Sequence, residues 1–272
     1  MNNTAVRITV SLIAIPLIIA LTYFGRIPFL LFVLSIASVS YYEFSKMAEN
    51  KGTHPNLYLG LVSILCMVGN VYLRVVDYDI LLIGIVILIL IFELFRNNNS
   101  AIHNIGTTLI GITYIGLFSS SIIGIREAYN FSMALYPHGG LIIISVLGSI
   151  WLCDSAAFFL GTAFGKHKLF LRISPSKSWE GAIAGFAFSI LGMIACKILI
   201  IDFLDWNDVI IIGLIIGIFG QIGDLVESLF KRDSGIKDSS ALIPGHGGIF
   251  DRFDSFIFSA PIIYIYLFYI AV

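Results

Sequence analysis

The chain has 272 residues, of which 58% are hydrophobic and only 12% are charged. Soluble domains average about 45 to 50% apolar and about 25% charged residues, so this composition excludes an ordinary soluble domain and indicates a membrane protein with several spans. The formal net charge of -1 points to no particular partner, and nucleic acid is not expected as one. The three cysteines lie in apolar segments without metal-ligand spacing, so neither a disulfide framework nor a zinc site is indicated.

Apolar runs of about 20 residues, the length that crosses the hydrocarbon core as a helix, recur along the chain. The first run exceeds the ~7 to 15 apolar residues of a signal peptide, and we interpret it as a span. We therefore expect an all-α integral membrane protein, a polytopic bundle of about nine transmembrane helices. Their expected positions are residues 6–24, 28–48, 57–75, 79–95, 105–125, 141–163, 181–201, 208–230 and 254–272.

The distribution of lysine and arginine predicts the orientation, because short cytoplasmic loops are enriched in both. The chain has sixteen lysine and arginine residues. If the N-terminus is cytoplasmic, four of them fall on the opposite side: Arg26, Arg74, Arg126 and Lys197. The other twelve lie on the cytoplasmic side. We therefore predict a cytoplasmic N-terminus, with loops 164–180 and 231–252 on the same cytoplasmic face.

The two parts of the chain differ in the polarity of their spans. Residues 1–100 carry few polar groups in their spans, and we expect these helices to serve packing. Residues 101–272 place Asp154, Gln221, Asp224 and Glu227 at or near membrane depth, where a charge costs at least ~2.5 kcal/mol on insertion scales. We therefore expect the functional residues in this second part.

In the sixth span, Ala157, Gly161 and Gly165 follow Asp154 along the helix. Small residues at this four-residue spacing form a face that a neighbouring backbone can approach closely. Asp154 lies on or near that face. It is either a functional acid or the partner of a buried structural hydrogen bond or a nearby lysine.

The next loop reads SPSKSWEG, from Ser174 to Gly181. A residue before proline is biased to an extended backbone, and the serine and glycine that follow predict a helix start close to Glu180. Lys177 then lies beside a helix N-terminus, which favours anions. The alternative is an ordinary basic cytoplasmic loop with Trp179 at the membrane interface.

The eighth span ends in GDLVES, which contains Asp224, Glu227 and Ser228. Spacings of three and four residues put these side chains on one helical face. Two carboxylates at the end of a helix can hold a hard divalent cation. The glycines before them are typical of a packing stripe and are compatible with a homodimer.

Between residues 228 and 254, basic residues alternate with acids around a glycine turn. Gly247 and Gly248 precede a helix that we expect to start at about Asp251 or Phe253, where backbone amides can bind phosphate. Asp251 and Asp254 begin that helix on one face, although either could serve only as a cap or first-turn acid. Because the available ligands are carboxylates, Mg²⁺ is favoured over Zn²⁺.

Residues 228–254 resemble the signature of the phosphatidate cytidylyltransferases, also called CDP-diacylglycerol synthases. The matching residues are Ser228, Lys231, Arg232, Lys237, Asp238, Pro244, His246, Gly247, Gly248, Asp251, Arg252 and Asp254. SPSKSWEG and GDLVES also resemble that family, whose multi-span topology fits the whole length.

The resemblance implies the reaction of CTP with phosphatidate to give CDP-diacylglycerol and diphosphate, with Mg²⁺. Together with the distribution of lysine and arginine, it predicts an active site on the cytoplasmic face of the cell (plasma or inner) membrane. It implies that Asp224 and Asp251 bind the metal, supported by Asp254 or Glu227. The residues that it implies for phosphate and substrate binding are Lys231, Arg232, Lys237, Arg252, Ser174, Ser176, Lys177, His246, Gly247, Gly248 and, on the lipid side, Asp154.

Two other functions remain open from the residues. A CTP-dependent polyprenol or dolichol kinase would transfer the γ-phosphoryl group to an alcohol and would need a base. An ion-coupled transporter would use the intramembrane acids, but transporters often show internal repeats, and we find no repeat in this sequence.

Overall fold

The computed structural model describes residues 3–240, 242 and 247–270, with side chains from Thr9 onward. These residues form nine helical segments and one two-stranded sheet. The helices are α1 (Asn3–Phe24), α2 (Arg26–Glu49), α3 (Leu57–Leu73), α4 (Tyr78–Leu94), α5 (Ala101–Arg126), α6 (Tyr136–Phe164), α7 (Trp179–Leu199), α8 (Trp206–Asp233) and α9 (Phe250–Ile270).

Each of the nine predicted spans overlaps one helical segment, in the predicted order. Six segments, α2 and α5 to α9, are long and apolar enough to cross a membrane. Two shorter apolar helices lie at Thr9–Phe24 and Leu57–Leu73. The expectation of a mostly helical, multi-pass membrane protein is therefore confirmed.

The segment between α6 and α7 is a β-hairpin, so the all-α prediction is wrong there. Strand β1 (Lys168–Phe170) pairs antiparallel with strand β2 (Ser174–Ser178). The extended backbone that Pro175 favours in the preceding residue suits a strand. Helix α7 follows directly at Trp179, and Ser178 Oγ accepts a hydrogen bond from Gly181 N at 3.2 Å. This N-cap confirms the predicted helix start close to Glu180.

The chain divides into two compact units. Unit 1 contains residues up to Leu21, Gly25–Gly124 and Phe230–Phe253. In its core Tyr114 packs on Phe230 and Phe250, with ring centroids 5.9 and 5.7 Å apart. Residues 230–253, which contain the loop after α8, are therefore grouped with the N-terminal helices in unit 1.

Unit 2 contains Thr22–Phe24, Ile125–Leu229 and the chain from Asp254 onward. Helices α6 and α7 pack closely through the small residues that the sequence singles out. A Cβ on Gly181 would lie 2.7 Å from the carbonyl oxygen of Ala157, and one on Gly161 would lie 3.2 Å from Gly181 Cα. The predicted close approach along this face of α6 is confirmed.

Helix α8 packs closely against α9 at a glycine next to the acids of α8. A π-helical turn at Ile216–Gly220 precedes the segment Gln221–Asp233; such turns are frequent at functional sites. A Cβ on Gly223 would lie 2.6 Å from Phe258 Cβ and 2.9 Å from the carbonyl oxygen of Asp254. Because residue 223 has no side chain, the backbone of α9 can pack against α8 at Asp254.

Candidate active site

Three carboxylates meet where α8 packs on α9 in unit 2. Asp224, Glu227 and Asp254 each contribute one carboxylate oxygen, and these oxygens lie within 4.8 Å of one another. Ser228 Oγ lies 3.4 Å from Asp224 Oδ1, so the predicted common face of α8 is confirmed. Glu227 and Asp254 are buried, with 0% and 7% of their surface exposed. We refer to Asp224, Glu227 and Asp254 as the acidic cluster.

The acidic cluster has the chemistry of a site for a hard divalent cation. Carboxylates this close together disfavour each other's ionised forms unless a positive charge compensates them. All three potential ligand atoms are oxygens, the type that Mg²⁺ prefers. The residues present therefore fit Mg²⁺, and three of the four predicted metal ligands belong to this cluster.

A further predicted residue of unit 2 contacts the acidic cluster. Lys177 Nζ, at the end of the hairpin, forms an ion pair with Asp224 Oδ2. The hairpin, α8 and α9 thus each contribute one or more charged side chains to the same place. Asp154 lies on α6, and its role in the site stays a prediction.

The two predicted serines of strand β2 differ in exposure. Ser174 is buried, whereas Ser176, next to Lys177, is exposed. Only Ser176 therefore presents its side chain to solvent beside the lysine. Substrate binding by either serine stays a prediction.

In unit 1, Asp251 is surrounded by donors. Its Oδ1 lies 2.6 Å from Lys231 Nζ. Its Oδ2 accepts hydrogen bonds from Ser239 N at 3.0 Å, from Ser239 Oγ at 2.9 Å and from Gly248 N at 2.9 Å. The carboxylate is therefore held in one orientation at the start of α9, and its assignment to the metal stays a prediction.

At each of the two described glycines of the turn, a side chain would be unfavourable, for a different steric reason. Gly247 has a φ of +84°, and a Cβ there would lie 2.9 Å from Asp251 Oδ2. A Cβ on Gly248 would lie 1.8 Å from Ser239 Oγ. The amide of Gly248 donates to Asp251, so in this structure the anion at the turn is a protein carboxylate. Phosphate binding by these amides stays a prediction.

The other predicted phosphate ligands of unit 1 lie on its surface. Arg232, Lys237 and Arg252 are exposed, and Arg232 Nη1 donates to the carbonyl oxygen of Ile236 at 3.3 Å. His246 lies outside the described residues. Long basic side chains at a surface can reorient toward a phosphate at little cost, which is compatible with their predicted role.

Comparison with known proteins identifies the family. The sequence model of the cytidylyltransferase family matches residues 5–270. This chain belongs to the cytidylyltransferase family. The phosphatidate cytidylyltransferase of Staphylococcus haemolyticus is 31% identical to it over 275 residues, which cover 96% of this chain and 98% of the relative.

Two other relatives of this cytidylyltransferase have the same name. The phosphatidate cytidylyltransferase of Bacillus subtilis is 29% identical over 267 residues, which cover 96% of both chains. That of Staphylococcus aureus is 37% identical over 188 residues, which cover 68% of both. The resemblance found in residues 228–254 therefore extends along the whole chain.

Sequence reasoning missed one acid of this cytidylyltransferase. Glu43, on α2, is buried and accepts hydrogen bonds from Ser239 Oγ and from the amide of Phe250. It lies in the part of the chain that we expected to serve packing. The signal was present, because an acid within an apolar span is expensive and is therefore a functional candidate by default.

Proposed function

We propose that this protein is a phosphatidate cytidylyltransferase, which transfers the cytidylyl group of CTP to phosphatidate and releases diphosphate. The observation that carries the proposal is the acidic cluster with Lys177 on Asp224. Transfer between two polyanions requires a cation site and nearby ammonium groups rather than a proton shuttle. Membership of the cytidylyltransferase family supports the same reaction class.

The reaction needs no general base. A phosphate oxygen of phosphatidate attacks the α-phosphorus of CTP, and the bond from that phosphorus to the oxygen bridging to the β-phosphate breaks. Diphosphate leaves with the electron pair. Because the second pKa of a phosphate monoester is about 6, the nucleophile is largely dianionic at neutral pH.

Asp224, Glu227 and Asp254 would hold Mg²⁺, whereas Asp251 stays a metal ligand implied by the family resemblance alone. When bound, the ion would offset the negative charge on the CTP phosphates and on the departing diphosphate. Lys177 adds a positive charge beside the same carboxylates. An ammonium in this position would attract a substrate phosphate and stabilise the charge that develops during transfer.

The remaining predicted residues are proposed to bind the two substrates. Ser174 and Ser176 would act beside Lys177, and Asp154 would act on the lipid side of the site. Basic residues and the glycine turn of unit 1 would bind nucleotide and lipid phosphates: Lys231, Arg232, Lys237, Arg252, His246, Gly247 and Gly248. The ion pair of Lys231 with Asp251, at the start of α9, supports this assignment of Lys231.

We also propose that all nine helical segments cross the cell membrane, with the N-terminus and the active site on the cytoplasmic face. The excess of lysine and arginine on that side supports this orientation. Residues 101–272 would then form the catalytic part and residues 1–100 the packing part. The acyl chains of phosphatidate could remain in the bilayer while its head group enters sideways. The glycine-lined helices would suit a homodimer.

The test is an assay of the purified protein in detergent with CTP labelled at either the α- or the γ-phosphate, with phosphatidate, with and without Mg²⁺. We expect the α-label in the lipid fraction, the γ-label in diphosphate and dependence on Mg²⁺. With a polyprenol as acceptor, a γ-label in the lipid would instead indicate a kinase. No label in lipid, together with ion flux in liposomes, would indicate a transporter.

A further inference from the structure

Glu43 is an acid buried in unit 1 that no step of the proposed reaction uses. Only 1% of its surface is exposed. A buried carboxylate is costly unless hydrogen bonds compensate the lost hydration. Oε1 of Glu43 accepts hydrogen bonds from Ser240 Oγ and from Ile249 N at 3.1 Å, and Oε2 accepts from Ser239 Oγ at 2.9 Å and from Phe250 N at 2.8 Å.

Two of these donors are the amides at the start of α9. The first amides of a helix have no partner within it, and the helix dipole favours a negative charge there. Caps usually come from a neighbouring residue, but Glu43 is 207 residues from Phe250 in the sequence. Glu43, on α2, therefore caps the first turn of α9, which carries Asp251.

Ser239 joins Glu43 to Asp251. Its Oγ lies 2.9 Å from Glu43 Oε2 and 2.9 Å from Asp251 Oδ2. A hydroxyl has one proton and donates to one acceptor at a time, so the two carboxylates share this donor. A Cβ on Gly248 would also lie 2.6 Å from both carboxylate oxygens of Glu43. The four residues are packed so closely that a shift of one displaces the others.

We propose that Glu43 is a positioning residue of the cytidylyl-transfer site, which holds Asp251 in its working orientation through Ser239 and through the first amides of α9. The inference rests on the proposed function, because it assigns Asp251 to that reaction. Glu43 itself contacts no substrate in this assignment. Its effect passes through the hydroxyl of Ser239 and the backbone of Ile249 and Phe250.

The first test is Glu43→Gln, which keeps the size of the side chain but replaces one acceptor oxygen by a donor group. We expect kcat per folded protein to fall about 10- to 100-fold. Activity typically falls by this much when a residue that hydrogen-bonds to a functional group is removed, or when that group is displaced slightly. The matched control is Glu49→Gln on the same helix, whose acid pairs with Lys46 at 2.7 Å near the surface. It should retain wild-type kcat.

A second pair of variants separates positioning from stability and does not require Glu43→Gln to fold. Ser239→Ala and Ser240→Ala each remove one hydroxyl that donates to Glu43. Among the described contacts of these two hydroxyls, only that of Ser239 also reaches Asp251. If Glu43 acts on Asp251, Ser239→Ala should lower kcat at least about 10-fold more than Ser240→Ala, at similar melting temperatures. Hydrogen exchange at residues 249 and 250 should also be faster in Glu43→Gln.

The outcomes are distinguishable. A wild-type protein that forms no CDP-lipid refutes the proposed function and this inference with it. An active wild type in which Ser239→Ala and Ser240→Ala have equal kcat overturns the inference alone. The same holds if folded Glu43→Gln keeps wild-type kcat and KM and loses only melting temperature.

Discussion

Lys231 Nζ lies 2.6 Å from Asp251 Oδ1, and both side chains are largely shielded, with 13% and 5% of their surfaces exposed. Removing one partner of an ion pair shielded to this extent strongly destabilises a protein, because the remaining buried charge loses its counter-charge. Lys231 is thus a structural partner of Asp251 as well as a proposed phosphate ligand. Replacing Lys231 should therefore change both the free energy of unfolding and the catalytic activity.

Lys231→Met should lower the free energy of unfolding by roughly 3 kcal/mol and kcat/KM by one to several orders of magnitude. Thermal unfolding in detergent and steady-state kinetics measure the two effects. Lys51→Met is the control in the same unit, because Lys51 pairs with Asp233 at 3.2 Å with 47% and 65% exposure. That loss should be at most about 1 kcal/mol. An equal loss in both variants would contradict the structural role of Lys231.

Removing one acid of the acidic cluster should abolish cation binding while relieving repulsion. Without Mg²⁺, we expect Asp254→Asn to melt at or above the wild-type temperature, because two carboxylates then remain instead of three. Saturating Mg²⁺ should stabilise the wild type by about 2.7 kcal/mol at 100 times Kd but leave the variant unchanged. Activity with Mg²⁺ should fall roughly 10²- to 10³-fold.

The control for this experiment is Asp233→Asn, an exposed acid near the end of α8, which should keep the full Mg²⁺ response. Manganese binding followed by electron paramagnetic resonance gives a readout that does not depend on turnover. Tight Mn²⁺ binding by Asp254→Asn would show that the acidic cluster is not the metal site.

Lys177→Met should change cation affinity and turnover in opposite directions. The ammonium group of Lys177 occupies Asp224 Oδ2, so its removal frees an oxygen and removes a competing positive charge. Mn²⁺ should therefore bind more tightly to the variant, whereas kcat/KM should fall roughly 10- to 10³-fold through lost charge stabilisation. Lys168→Met, an exposed residue of the same hairpin, should change neither quantity. Weaker Mn²⁺ binding by Lys177→Met would show that Lys177 does not compete with the cation for Asp224.

Gly223→Ala should separate α9 from α8 at the acidic cluster. The new methyl group would meet Phe258 Cβ at 2.6 Å and the carbonyl oxygen of Asp254 at 2.9 Å. Overpacking of this kind costs about 1 to 3 kcal/mol, and we expect the Mg²⁺-dependent stabilisation to be lost with it. Differential scanning fluorimetry with and without Mg²⁺ measures both.

Gly148→Ala provides the matched control on α6, since a Cβ there meets nothing within 4 Å. An alanine in the middle of a helix is favoured over glycine by roughly 0.5 to 1 kcal/mol, so this variant should be neutral or slightly more stable. If Gly223→Ala behaves in the same way, the close approach of the two helices is not required for the site.

Local patterns in the sequence determined the order of the helical segments, the start of α7 behind Ser178 and the common face of Asp224, Glu227 and Ser228. Each depends on residues within one or two helical turns, where hydrophobic length, capping and helical spacing act directly. The resemblance of residues 228–254 to a known family supplied the reaction. The local patterns alone do not predict which distant side chains meet.

The family resemblance groups Asp254 with Asp224 and Glu227 as metal ligands, but only the tertiary structure shows how they meet, because the absence of a side chain at Gly223 matters only once α9 packs there. It also paired Asp251 with Lys231 and placed Glu43, from the opposite end of the chain, at the start of α9. Contacts between helices depend on close packing over long sequence separations. The sequence contains the residues that make such contacts, but a sequence pattern does not show which of them become partners.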